Sequence, residues 1–240
     1  CGDDGFPVSV RVFKGNTTDL QTFSAQIEKT AHEFGCRQVT MVGDRGMIKS
    51  SQIEELDSAG FHYITAITKP QIRSMLKKGV FQLGLFDSDL CEIESEGCRY
   101  ILRRNPLRAA ELAESRNQRI KSVQSLAADR TRYLAEHPRA DSFKAIQKVW
   151  EKEKQLGVDD FLKITGGDDR IINVVVDEAY VSEVAELDGC YVIKTDLPVQ
   201  VASKETIHDR YKDLSLVESA FRTMKTGHLE VRPIYVRKES

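Results

Sequence analysis

The sequence predicts an α/β protein whose core is interrupted by a large insertion. Apolar runs of strand length alternate with amphipathic helical runs over residues 6–68, as in strand–helix units whose later strands run parallel. From residue 69 to about 196 the pattern changes to hairpins and long helices. A helix-forming run at 204–226 resumes the first pattern. We therefore assign residues 1–68 and 197–240 to the core and 69–196 to the insertion.

The first core segment contains three candidate strands and two candidate helices. "FPVSVRVF" (6–13) alternates as a strand and is entered through a "GDDG" turn. "GNTTD" offers a turn and an N-cap for a helix over 20–34. "QVTMVGD" (38–44) and "FHYITAI" (61–67) read as buried strands, separated by a helix that ends on Gly60.

The predicted insertion combines β-hairpins with two basic helices. "LCEIESEGCRYILRR" is typical of a hairpin turning at "SEG", and Asn105–Pro106 then ends the strand. A long helix follows as far as His137–Pro138, and a second helix reaches about Gln155. "DFLKITGGDDRIINVVVD" and "GCYVIKTD" return to strands. Its "GGDD" is similar to a cyclase-type GGDE loop, but a hairpin turn between two strands explains it better.

Composition indicates an ordinary globular chain without a membrane span. Of 240 residues, 40% are hydrophobic and 30% charged, and no apolar run approaches the length of about 18 residues that a spanning helix needs. Five cysteines without a CxxC pair indicate reduced thiols and a cytoplasmic location, with neither a disulfide framework nor a zinc site. Because the chain starts at "CGDDGF" without Met, we expect its natural N-terminus to lie upstream.

Charge is unevenly distributed along the chain. The net charge is −2, but residues 99–154 contain 14 Lys and Arg against 7 Asp and Glu, an excess of +7 that leaves −9 elsewhere. Such asymmetry suggests a polyanionic partner for this segment. A solvated helix of mixed charge is the open alternative.

The run "YKDLSLVESAFRTMK" places polar side chains at regular helical intervals. Tyr211, Glu218 and Lys225 are spaced seven residues apart, so one continuous helix would align them, with Arg222 about 40° to one side. The adjoining apolar stripe is expected to face the core and consists of Val217, Phe221 and Met224. A solvated charged face is the simpler alternative.

Two carboxylates are candidates for a metal site. Asp44 ends a predicted parallel strand, where open α/β sheets place their sites, and Glu218 comes from a helix able to pack on the same sheet. Such carboxylates hold Mg²⁺, and their separation is expected to be about 4–8 Å. Tyr211, Arg222 and Lys225 would then contact phosphate. Taken alone, Asp44 is better explained as a strand-end turn residue that bonds local amides.

These segments resemble the DDE transposases of bacterial insertion sequences, in the fourth insertion-sequence family. "YKDLSLVESAFRTMK" is similar to that family's Y-x2-R-x3-E-x6-K signature, and "VGDRGM" resembles the segment containing its second catalytic Asp, here Asp44. "VFKGNTTD", "DGCYVIKTD" and "LEVRPIYV" resemble neighbouring segments in matching order.

The resemblance implies an RNase H-like core (a mixed sheet with flanking helices) that performs metal-dependent DNA cleavage and strand transfer. Asp44 and Glu218 would be catalytic and would bind two Mg²⁺ ions, for which Mn²⁺ could substitute. Tyr211, Arg222 and Lys225 would bind DNA phosphate. The implied partners are double-stranded transposon ends and target DNA, with a dimer as the active complex in the bacterial cytoplasm.

Two departures from the signature limit what the resemblance implies. The signature Arg falls at Leu214, and Arg222 is the candidate replacement. The family's first Asp would precede the strand at 6–13, and Asp3 and Asp4 are poor substitutes in a turn, so we expect the chain as given to be inactive. The alternatives are a DNA-binding remnant without chemistry, or an oligomerisation module built on the helices of 108–154.

Overall fold

The chain forms two compact units in the computed structural model, which describes residues 19–32, 38–166 and 170–226. The first unit joins the chain up to Arg103 with the chain from Tyr191 onward, and the second runs from Arg104 to Cys190. The strand predicted at 6–13 and the turn predicted before the first helix lie outside the described residues.

Helices and strands occur in the order expected from the sequence. Two further helices, over 69–77 and 178–185, were not identified by the sequence analysis. The elements are α1 (Asp19–His32), β1 (Thr40–Val42), α2 (Ser50–Ser58), β2 (His62–Ala66), α3 (Lys69–Lys77), a 3₁₀ turn (Leu83–Asp87), β3 (Cys91–Ser95), β4 (Cys98–Arg104), α4 (Pro106–Glu136), α5 (Ser142–Leu156), a second 3₁₀ turn (Asp159–Phe161), β5 (Leu162–Gly166), β6 (Ile172–Val176), α6 (Glu178–Ala185), β7 (Cys190–Thr195), α7 (Lys204–Lys212) and α8 (Leu214–Thr226).

A five-stranded mixed sheet in the order β1-β2-β7-β4-β3 organises the first unit. β1 and β2 run parallel, with Met41 opposite Tyr63, as predicted. β7 pairs antiparallel with β2, and β3 pairs antiparallel with β4. The sheet is flanked by helices, so the predicted fold class, mixed α/β and consistent with an RNase H-like core, is confirmed.

Apolar side chains from α1 and α2 cover the β1–β2 end of the sheet. Phe23 and Ile27 on α1 pack with Leu56 on α2 and with Phe61 and Tyr63 at β2. This packing explains why a strand of only three residues is held in the sheet. It also determines where the chain emerges after β1, which is the position of Asp44.

The β3–β4 hairpin turns where the sequence predicts. Glu96 and Gly97 both have positive φ, at 53° and 70°, as a two-residue type I′ turn requires. Through β4 this hairpin joins the same sheet as β1 and β2. The compact units therefore divide at 103/104 and 190/191, inside the limits predicted for the insertion, whose assignment to 69–196 stays a prediction.

The second unit packs two long helices against a small antiparallel sheet. Asn105 caps α4 by accepting from the Arg108 amide, and Pro106 occupies the first turn. α4 and α5 bury a stripe against β5 and β6, which pair antiparallel as predicted for the strands around "GGDD". Residues 167–169 of that turn lie outside the described residues.

The helix predicted over 204–226 is two helices, and this corrects the alignment predicted from its sequence. α7 ends at Lys212 and α8 begins at Leu214, with Asp213 between them. The Asp213 carbonyl accepts from the Leu216 amide at 2.9 Å, a tight turn that interrupts the helical repeat. Tyr211 therefore does not share one continuous helical line with Glu218.

Candidate active site

Asp44 lies immediately after β1, as predicted, at the edge where the parallel strands end. The Gly43 amide donates to the Ile64 carbonyl at 3.1 Å and extends the pairing with β2 by one residue. The Thr65 hydroxyl donates to the Asp44 carbonyl at 3.2 Å. These two bonds fix the backbone of Asp44 relative to β2.

The Asp44 carboxylate is exposed and only partly engaged by the backbone. Its Oδ1 accepts from the amides of Gly46 and Met47, at 2.8 and 2.9 Å. This is the turn that the simpler interpretation of Asp44 predicted. Among the described residues, none donates a hydrogen bond to Oδ2. The turn thus orients the carboxylate and leaves one oxygen directed away from these amides.

Tyr211 brings α7 to the same edge of the sheet. The residue is half-buried against a cluster at the centre of the sheet that includes Ile64, Ile193 and Ile207. Burial raises the pKa of its phenol, and the negative charges of Asp44 and Glu218 raise it further. Tyr211 packs in the same cluster as Val42, two residues before Asp44, so α7 meets the sheet close to the end of β1.

Glu218 is exposed on α8, one helix further along the chain than Tyr211. Val217 beside it is half-buried, but Phe221 is 52% exposed, which contradicts the prediction that Phe221 faces the core. The prediction assumed one continuous helix over 204–226, whereas α8 begins as a separate helix after Asp213.

The predicted cations are only partly described. Arg222 lies exposed on α8, and the backbone of Lys225 belongs to the same helix, whereas the Lys225 side chain is outside the described residues. Leu214, at the signature Arg position, opens α8. The structure therefore places Tyr211 at the same end of the sheet as Asp44, while the approach of Glu218 to Asp44 and the contacts of the two cations remain predictions.

Arg45 is a candidate that the sequence analysis missed. It is exposed in the turn after Asp44, and its positive charge lowers the pKa of Tyr211, against the larger effect of burial. It directly follows Asp44 and belongs to the same exposed turn. Its position next to Asp44 in "GDRG" was the available signal.

A second missed group lies beside Tyr211. The hydroxyl of Tyr191, at the start of β7, is 2.7 Å from Nε2 of His208 on α7. Arg103, near the end of β4, places Nη1 3.2 Å from the same nitrogen. Burial raises the pKa of Tyr191, although the charge and hydrogen bond of Arg103 lower it. Because these residues come from three distant segments, no local pattern could have indicated them.

Part of the basic excess predicted to face a polyanion is internal. Arg99 is buried and donates to Glu92 and to the Leu197 and Ala202 carbonyls. Arg116 is buried in an ion pair with Asp188. The count of cations over 99–154 therefore overstates the positive charge that this segment presents to solvent.

The donor chemistry fits a divalent cation, although the described residues supply only two carboxylates. Within residues 19–32, 38–166 and 170–226, no three His, Cys, Asp or Glu side chains are grouped so as to hold a metal ion. Asp44 and Glu218 nevertheless offer the hard oxygen ligands that Mg²⁺ prefers. Over the same described ranges, no helix is long and apolar enough to cross a membrane.

Comparison with known proteins gives one match. The family model of the transposase DDE domain matches residues 1–239. No curated protein and no solved structure matches the chain. The five-stranded mixed sheet flanked by helices is consistent with the fold of that family. DDE domains of this kind use divalent metal ions and act on DNA, and this chain belongs to the family of transposase DDE domains.

Proposed function

We propose that this protein cleaves and rejoins DNA strands at transposon ends, as a DDE transposase of the fourth insertion-sequence family. The observation that carries the proposal is the packing of Tyr211, on the helix that precedes the Glu218 helix, in one cluster with Val42, two residues before Asp44. The segments that contain Asp44 and Glu218 are far apart in the sequence, and a purely structural turn at Asp44 would not require the second segment to return to this end of the sheet. This return supports a common catalytic role for the two carboxylates.

Asp44 and Glu218 are the residues proposed to hold the metal. Two Mg²⁺ ions, replaceable by Mn²⁺, would stabilise the charge that develops on the phosphate during cleavage. Asp44 is suited to this role because its turn fixes Oδ1 and leaves Oδ2 without a donor among the described residues. The resemblance places a further carboxylate on a strand preceding residue 6, and we propose that cleavage requires it.

Tyr211 and nearby cations are proposed to bind the DNA phosphate. Arg222 and Lys225 are the cations of the signature helix, and Arg45 is added because its charge acts on Tyr211. Leu214 occupies the signature Arg position and has no polar group to bind a phosphate. An Arg side chain binds phosphate with two parallel hydrogen bonds, so Arg222 or Arg45 could bind that phosphate instead. The DNA would be double-stranded, and a dimer in the bacterial cytoplasm is proposed on the same resemblance.

The test compares carboxylate variants of the full-length protein on a linear duplex carrying the inverted repeats that flank its gene. Asp44→Asn and Glu218→Gln should each abolish Mg²⁺-dependent cleavage and leave duplex affinity within about twofold, because affinity comes mainly from cationic contacts. Asp57→Asn and Glu54→Gln on α2, both exposed, are the matched controls and should cleave normally.

Two results would contradict the proposal. Cleavage by either site variant at the wild-type rate would remove Asp44 or Glu218 from the chemistry. Tight duplex binding without any cleavage by the full-length wild type would instead support the alternative, a DNA-binding remnant of a transposase.

A further inference from the structure

A buried polar network lies beside Tyr211 and joins three elements of the first unit. His208 on α7 is only 2% exposed. Its Nε2 is 2.7 Å from the hydroxyl of Tyr191 on β7 and 3.2 Å from Nη1 of Arg103 on β4. Three residues later on α7, Tyr211 packs in the same cluster as Val42, two residues before Asp44.

The chemistry of the three side chains determines which of them donates and which accepts in these hydrogen bonds. A guanidinium carries only donors, so Nε2 of His208 accepts in its contact with Arg103, and the ring proton is assigned to Nδ1, which faces Oδ1 of Asp209 at 3.2 Å. In this tautomer the Tyr191 hydroxyl also donates to Nε2, at the shorter distance of 2.7 Å. An imidazole nitrogen has one lone pair, so the Tyr191 hydroxyl and the Arg103 guanidinium share it, and the shorter Tyr191 bond is the stronger of the two.

This network can fix the rotation and position of α7 on the sheet, which apolar packing alone cannot. Ile207, next to His208, is fully buried in the central cluster with Ile64 and Ile193. Apolar contact holds the helix against the sheet but is not directional, whereas hydrogen bonds weaken steeply when their angles change. The bonds to β4 and β7 therefore restrict rotation and sliding of α7 on the sheet.

We propose that His208 is a positioning residue of the candidate active site: by fastening α7 to Tyr191 and Arg103, it holds Tyr211 beside Asp44. The inference rests on the proposed function for its effect on catalysis. Its structural part, the position of Tyr211, does not depend on that function. His208 itself touches neither DNA nor metal in this assignment and acts through the helix.

The test combines a spectroscopic and a kinetic measurement on five variants of the full-length protein. Tyrosine rings labelled with ¹³C give separate NMR signals, and Tyr211→Phe and Tyr191→Phe assign two of them. His208→Leu should move the Tyr211 signal and lower the cleavage rate at saturating duplex by about tenfold or more, with a smaller loss of duplex affinity. His208→Gln can place its Oε1 near the position of Nε2, and should recover at least about half of the wild-type rate.

Tyr191→Phe covers the case in which His208→Leu does not fold, since it removes a single oxygen and should show the same direction of change. Tyr180→Phe in the second unit is the matched control, and should leave the Tyr211 signal and the cleavage rate unchanged. The cleavage substrate is the duplex with the flanking inverted repeats.

Several results would overturn the proposal. Folded His208→Leu and Tyr191→Phe proteins with the wild-type cleavage rate would show that the network positions nothing that catalysis needs. An unmoved Tyr211 signal in these variants would show that the network does not position α7. If the wild type itself does not cleave, the proposed function fails, and the Tyr211 signal alone then decides whether His208 positions α7.

Discussion

Removing the carboxylate of Asp188 should strongly destabilise the second unit. Arg116 on α4 and Asp188 form an ion pair in which both side chains are buried, with 8% and 7% exposure. The Arg116 guanidinium also lies 5.8 Å from the ring centre of Phe161. In Asp188→Ala this guanidinium would stay buried without its carboxylate partner. Breaking a buried pair in this way costs about 3–5 kcal/mol.

An exposed pair on the same helix supplies the control. Arg108 and Glu111 are joined at 2.8 Å, but their side chains are 60% and 64% exposed. Exposed pairs contribute at most about 1 kcal/mol, so Glu111→Ala should have little effect. The two alanine variants remove the same kind of interaction and differ mainly in burial.

The only tryptophan of the chain makes the assay specific for this unit. Trp150 packs against the core between α4, α5 and the β5–β6 sheet, so its fluorescence reports unfolding there. Urea denaturation followed by this signal should give a loss of about 3–5 kcal/mol for Asp188→Ala. Replacing both partners, with Arg116→Met and Asp188→Leu, should recover much of that stability because no charge is left buried. A loss for Asp188→Ala no larger than for Glu111→Ala would refute the reasoning.

Two further predictions concern the same unit. Burial, together with the negative charge of Asp159, raises the pKa of Glu153, so the folded state favours the protonated carboxyl. The stability that this group contributes is therefore present below about pH 4.5 and is lost as pH rises through the folded-state pKa. Glu153→Gln should therefore be more stable than wild type at pH 7.5 and show a smaller gain at pH 4.5 in urea denaturation, whereas an equal gain at both values would point to packing. Gly189 has φ of +71°, and a Cβ there would lie 2.2 Å from the Asn105 carbonyl oxygen. Gly189→Ala should thus cost more than about 1 kcal/mol by the same Trp150 assay, and a cost near zero would mean that the backbone moves freely.

Local features of the fold could be predicted because they depend on neighbouring residues. The start of α4 follows from Asn105 and Pro106, which cap the helix and fit its first turn. The hairpin turn follows from Gly97, which adopts positive φ without strain. β1, α2 and β2 follow from the periodicity of their apolar residues.

Part of the candidate site could also be predicted, in this case from the position of a residue at a strand end and from residue spacing. Asp44 could be placed at the end of a parallel strand, and the structure confirms that location. The spacing of Tyr211 and Glu218 singled out Glu218 as the second candidate carboxylate, although the two residues lie on separate helices. Their catalytic roles stay predictions.

Tertiary structure decided the features that join distant segments. The pairing of β7 with β2 brings Thr195 opposite Ile64, and no local pattern specifies a partner so far away in the chain. The same pairing places Tyr191 where His208 and Arg103 can reach it. Burial of Arg116 likewise depends on Asp188, since a lone buried charge would be too costly. The sequence alone determined most of the elements and singled out two candidate carboxylates, whereas the network around Tyr211 exists only after the sheet has brought its strands together.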